Sequence, residues 1–227
     1  MLGFLYKGGV LVIPILLCSV FALAIFLERL IRFIHLRKQG RGLAEKVAAA
    51  VKNGDDEQAR NLVDESDSPM GKVLAQALEV KDQKQETLEA IIVHATEEEI
   101  RGMSRYLQAL ATIGNIAPLL GLFGTVVGMI KAFMVIQEMG GKVNAAVLAG
   151  GIWEAMLTTA LGLAVALPTI IAHSYLVSKV NHSEARLQRG AIIFLKAVMA
   201  KEGPRVKRSE GVRAGSRVVE YSEFRLA

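Results

Sequence analysis

Three long stretches of the chain carry no formal charge, and the apolar positions between them recur with a helical period. Gly8 to Leu27 gives 20 uncharged residues, Ala109 to Ile130 gives 22 and Ala155 to Ser178 gives 24. Each matches or exceeds the 20 or so residues a helix needs to cross the hydrocarbon of a bilayer. Between the first two runs, helical periodicity is readable over Leu43–Val51 and stops at the turn Asn53-Gly54-Asp55-Asp56. It resumes over Glu57–Asp64, and Ser66-Asp67-Ser68-Pro69 then opens another helix with Pro69 at its first position. From Thr87 onward Leu88, Ile91, Ile92, Ala95, Ile100, Met103, Leu107 and Leu110 mark one apolar face. No Gly-Pro pair separates that face from the next apolar run, which predicts one continuous helix passing from water into the membrane.

The pattern predicts an all-α membrane protein with three transmembrane helices, spans two and three extended as long helices into the cytoplasm. Residues 1–27 form an outer segment and span one, 28–108 a cytoplasmic helical segment, and 109–136 span two. A short outer loop at 137–144 leads into span three at 145–178, a cytoplasmic helix at 179–202 and a disordered basic tail at 203–227. The first run reads as an anchor rather than a signal peptide: its apolar core is long, and Glu28, Arg29 and Arg32 follow it instead of a small-x-small cleavage pattern.

Composition supports this layout. The chain is 52% hydrophobic with a mean hydropathy of +0.37, yet 22% charged, a mixture that fits apolar spans alternating with solvated segments. The net charge of +5 does not point to nucleic acid, because the basic residues flank apolar runs instead of forming a stripe interleaved with aromatics. Arg29, Arg32, Arg37, Lys38 and Arg41 crowd the end of the first run, whereas only Lys7 precedes it. By the positive-inside rule the N-terminus and the 137–144 turn face outward and the C-terminus lies in the cytoplasm. The one cysteine, Cys18, sits inside an apolar run, so no intrachain disulfide or cysteine metal site can form. The acidic run Glu97-Glu98-Glu99 reads as a solvated face.

Candidate chemistry is concentrated in the third span. Glu154 lies about 15 Å along the helix from the outer turn at 1.5 Å per residue. A carboxylate at that depth is expensive and is by default a candidate for an ion or proton path. Thr158 and Gly162 follow it at i+4 and i+8 on one face, and Ala155, Thr159 and Gly162 mark a neighbouring stripe of small residues. Thr159 lies about 140° round from Glu154, so one straight helix cannot place both in a narrow pore. A wide pore can, as can an oligomer in which both flanks of the helix matter. Trp153 is an interface residue type, and His173, about 28 Å beyond Glu154, reads as a boundary residue. In span two Gly114, Gly121, Thr125 and Gly128 share a face, and Gly124 and Gly128 form a GxxxG pair, the pattern that lets helices approach closely in lipid. Pro118 and Pro168 predict kinks.

These residues carry a resemblance. Residues 114–133 (GNIAPLLGLFGTVVGMIKAF), followed by 151–168 (GIWEAMLTTALGLAVALP), closely resemble the ExbB/TolQ/MotA proton-channel family, and the three-span layout is nearest to ExbB and TolQ. The resemblance implies a homopentamer around the membrane helices of a dimeric, single-span ExbD- or TolR-like partner whose membrane aspartate carries protons. It implies a bacterial inner-membrane complex that uses the proton motive force to move TonB- or TolA-like proteins acting on the outer membrane. The family's pore residues correspond to Thr125, Glu154 and Thr159. Position 158 carries Thr where the family pattern has Ala, adding a second hydroxyl, and position 153 carries Trp where a smaller residue is expected.

The expected function is therefore a proton-conducting stator subunit, with Glu154, Thr159, Thr125 and Thr158 as the proton pathway and no cofactor. No nucleophile–base set, phosphate loop or metal-ligand cluster argues for an enzyme. A non-conducting scaffold and a Na⁺-coupled relative are the competing readings.

Overall fold

In the computed structural model, residues 11–39, 42–138 and 145–202 are described. The expected outer N-terminal segment before residue 11, the outer loop at 139–144 and the basic tail at 203–227 lie outside them. Among the described residues the chain is helical, with no strands. The elements are α1 Val12–Gln39, α2 Leu43–Asn53, α3 Asp56–Asp64, α4 Pro69–Glu79, α5 Gln85–Ser104, α6 Leu107–Glu138 and α7 Ala145–Glu202. Three helices are long and apolar enough to span a membrane. They are α1, α6 and the first part of α7.

Local chemistry accounts for the short helices. Gly54 ends α2 in the left-handed region at φ 81°, its N–H returning to Ala50 and Val51 carbonyls. A residue with a Cβ is penalised in that conformation. Asp55 then caps α3 by accepting from the Gln58 N–H at 2.9 Å. Ser68 caps α4 in the same way, accepting from the Gly71 N–H at 3.1 Å with Pro69 in the first turn. Each cap satisfies a donor that the helix leaves unpaired, a contribution of about 1 kcal/mol.

These helices pack against the far half of α7 around one apolar core. Val47 and Val51 of α2, Val73 and Leu74 of α4, Leu88 of α5 and Phe194 of α7 are all at most 2% exposed. Burial of side chains of that size contributes about 1.5–3 kcal/mol each in water. The spanning parts differ. Ile13, Phe21, Leu119 and Ile171 are each more than 60% exposed, as suits an outer surface solvated by lipid tails.

One expectation needs correction. The helix entering span two is not continuous: α5 ends at Ser104, and α6 restarts at Leu107. Arg105 is extended (φ −53°, ψ 137°) and Tyr106 is left-handed at φ 65°. No glycine or proline makes this break. It is held from a distance by Arg29 of α1, which is 1% exposed and donates from Nη1 to the Gly102 carbonyl at 3.1 Å. The guanidinium of Arg29 lies 5.1 Å from the centre of the Tyr106 ring, and that of Arg105 lies 4.9 Å from it. The Nε of Arg29 is 3.0 Å from Glu28 Oε2, near enough for an ion pair though not aligned for a hydrogen bond. A cation in this site thus joins the end of span one to the joint where span two leaves the soluble bundle.

Candidate functional site

Helices α6 and α7 run antiparallel, and small residues form the seam between them. Ala132 meets Gly151, Gly128 meets Ala155, Gly124 meets Thr158, and Gly121 and Ala117 meet Gly162. Further along, Gly114 meets Thr169 and Ile170. Every step down one helix is matched by a step up the other. The approach leaves no room for a side chain: a Cβ on Gly162 would stand 2.6 Å from the Ala117 carbonyl oxygen and 3.0 Å from Gly121 Cα. In lipid, where apolar area alone does not drive helices together, this close backbone contact supplies the packing energy. Pro118 and Pro168 both lie inside unbroken helical runs.

The four polar residues singled out from the sequence do not form one row. Thr158 is 2% exposed and packs on Gly124 inside the seam, its hydroxyl donating to the Ala155 carbonyl at 2.7 Å. It shares the seam face with Ala155 and Gly162 rather than a polar face with Glu154. The reason is the neighbour: Gly124 leaves a hollow that the extra hydroxyl and methyl fill. Thr159 reaches across instead, donating to the Gly121 carbonyl at 2.9 Å, and Thr125 donates within its own helix to Leu122 at 2.6 Å. At 100° per residue, Glu154 and Thr159 project from opposite flanks of the seam, each about 70° from its centre. In the antiparallel hairpin Thr125 falls on the Thr159 flank.

Glu154 is half-buried and has a partner that sequence reasoning missed. The Nζ of Lys131 lies 4.0 Å from its Oε1. Lys131 directly follows the uncharged run of span two in the sequence. That it stands level with Glu154 depends on the register between two helices, which no single-helix pattern contains. Trp153 is 56% exposed, on the outer surface. His173 lines a shallow cleft with Ser104, Gln108 and Asn181 beside the α5–α6 break. Arg29 and Tyr106 were also missed. Arg29 registered only as one of several basic residues after span one.

Chemically, the hairpin offers one carboxylate that can take or release a proton, an ammonium beside it, and hydroxyls whose single proton is already donated to backbone carbonyls. A hydroxyl in that state keeps its lone pairs. Thr125 and Thr159 therefore present acceptors, suited to holding water or a hydrated cation without themselves passing a proton on.

The chain is similar to known proteins. The family model described as "MotA/TolQ/ExbB proton channel family" matches residues 65–189. A protein of Synechocystis sp. named putative biopolymer transport protein ExbB-like 1 is 34% identical over 175 residues, covering 76% of this chain and 68% of that protein. The putative biopolymer transport protein ExbB homolog of Methanothermobacter thermautotrophicus is 29% identical over 179 residues. That match covers 77% of this chain but only 62% of that protein's length. The Tol-Pal system protein TolQ of Haemophilus influenzae is 38% identical over 91 residues, 40% of this chain and 39% of that protein.

Proposed function

Because this chain belongs to the MotA/TolQ/ExbB proton channel family, we propose that it is the proton-conducting stator subunit of an inner-membrane, energy-transducing complex. The observation that carries the reading is Glu154, a carboxylate held inside the apolar run of α7 on one flank of a tightly packed hairpin. Several copies of that hairpin, five in the family's pattern, would surround the membrane helices of a single-span ExbD- or TolR-like partner. The Glu154 flank of one copy and the Thr125–Thr159 flank of another would then face a common hydrated space. In this arrangement the threonine oxygens hold water while Glu154 and a carboxylate of the partner exchange protons. Thr158 acts as a packing residue.

Each proton crossing the membrane potential supplies about 2.3 kcal/mol per 100 mV. That is enough to bias a partner between nearly isoenergetic positions, and so to drive a TonB- or TolA-like protein acting on the outer membrane. The Lys/Arg crowding at residues 29–41 and from Lys179 onward supports an outward N-terminus and a cytoplasmic C-terminus.

The test is proton uptake into liposomes holding the protein together with a single-span ExbD- or TolR-like partner. A potassium-diffusion potential should drive acidification that depends on both proteins. Silent liposomes would favour a non-conducting scaffold, and flux requiring Na⁺ at fixed potential would favour a Na⁺-coupled relative.

A further inference from the structure

A cleft of about 470 Å³ opens where the spans leave the membrane, and nothing in the conduction reading uses it. It lies between the end of α1, the starts of α2 and α4, and the face of α7 just beyond the membrane. Its volume is within the range of about 300–1,000 Å³ typical of small-molecule sites. Two kinds of wall meet in it. Leu30, Phe33 and Ile34 of α1, with Met103 and Leu176, form the apolar side. Ile34 is the last residue of the apolar stretch of α1.

Lys179, His182, Arg186 and Arg189 form the other side, spaced by three and four residues so that they share one face of α7. Lys179 is the first charge after the 24 uncharged residues of span three. The boundary between hydrocarbon and water thus runs through the cleft. Tyr175, an interface residue type, stands at that level, 5.1 Å from the Lys179 ammonium.

The charges do not balance. Among the described residues, Glu45 is the one carboxylate lining the cleft. Among the described residues, neither Lys179, Arg186 nor Arg189 forms an ion pair with Asp or Glu. The chain's own tail is no complement either, since residues 203–227 carry six Lys/Arg against three Glu.

We infer that this cleft binds an anionic glycerophospholipid of the inner leaflet, its phosphate on Arg186, Arg189 and Lys179 and its acyl chains along α1. A bound lipid would tie span one to the cytoplasmic extension of span three. A zwitterionic lipid would bring an ammonium into a site already rich in cations. The choice between leaflets follows from the α7 cations, which lie only at the end of span three.

Native mass spectrometry of the full-length protein, released from nanodiscs of equal phosphatidylglycerol and phosphatidylcholine, reads the preference. The wild type should retain phosphatidylglycerol. The double variant Arg186→Gln/Arg189→Gln should lower that preference about 25-fold, roughly five-fold per cation, which converts to about 1 kcal/mol for each basic residue. Arg186→Lys/Arg189→Lys should keep most of it, and Arg101→Gln, at an exposed position of α5, should leave it unchanged. Equal retention of the two lipids by the wild type would overturn the site. So would an undiminished preference in the Gln variant, or displacement of the lipid by millimolar glycerol 3-phosphate, which would mark a site for a free phosphate ester.

Discussion

Thr159 donates its hydroxyl to the carbonyl of Gly121 at 2.9 Å, a side-chain hydrogen bond that crosses from α7 to α6. It adds a second donor to a carbonyl that already serves its own helix. The bond also fixes which way the threonine's lone pairs point. Thr159→Val keeps the shape and removes the bond, so the hairpin should lose about 0.5–1.5 kcal/mol while energy coupling is lost. Thr159→Ser should recover both. Reversible unfolding in detergent–SDS mixtures, read beside a coupling assay, checks the pair.

The seam predicts which glycines tolerate a methyl group. A Cβ on Gly162 meets backbone on two sides, so Gly162→Ala should destabilise the hairpin by about 1–3 kcal/mol. Gly150, in the same helix, has open space around its Cβ position. Gly150→Ala should be neutral or stabilising, by up to about 1 kcal/mol from helix propensity. Equal effects at the two sites would contradict the packing described.

The left-handed backbone at Tyr106 can be separated from its ring. Tyr106→Ala loses the ring between the Arg29 and Arg105 guanidinium groups and keeps the unfavourable φ. Tyr106→Gly loses the ring alone. The glycine variant should therefore be more stable than the alanine variant by about 1 kcal/mol. Thermal unfolding of the two proteins in detergent gives the difference.

Glu99 of α5, in the helix before the apolar span, supplies a pH signature. Burial raises its carboxyl above the usual glutamate range, opposed by Lys72 at 3.8 Å and reinforced by Glu98. A raised carboxyl favours the folded state when protonated. That stability is present below the ordinary glutamate range and is lost as pH rises through the raised value. Glu99→Gln removes the loss, so its thermal stability relative to the wild type should grow across that window and then level off. A constant difference from pH 4 to 7.5 would contradict it.

The parts of this fold that a single helix records were legible beforehand. The uncharged runs located the spans, Ser68-Pro69 and Gly54-Asp55 marked the short helices, and the spacing of Gly114, Gly121 and Gly128 marked a close-packed face. What depends on a second helix was not. Thr158 shares a period with Glu154, but only the hollow at Gly124 decides that it packs inward. The Lys131–Glu154 pairing requires the antiparallel register. The break at Tyr106 has no local breaker, because its support comes from Arg29, 77 residues earlier in the chain.

The central claim is that Glu154 couples proton movement to work. The direct measurement compares the wild type with Glu154→Ala, each reconstituted with the single-span partner, for potential-driven proton uptake and for the size of the complex. The account predicts that the variant inserts and assembles with its partner as the wild type does, while proton uptake falls to the level of empty liposomes. Undiminished uptake by an intact Glu154→Ala complex would contradict it.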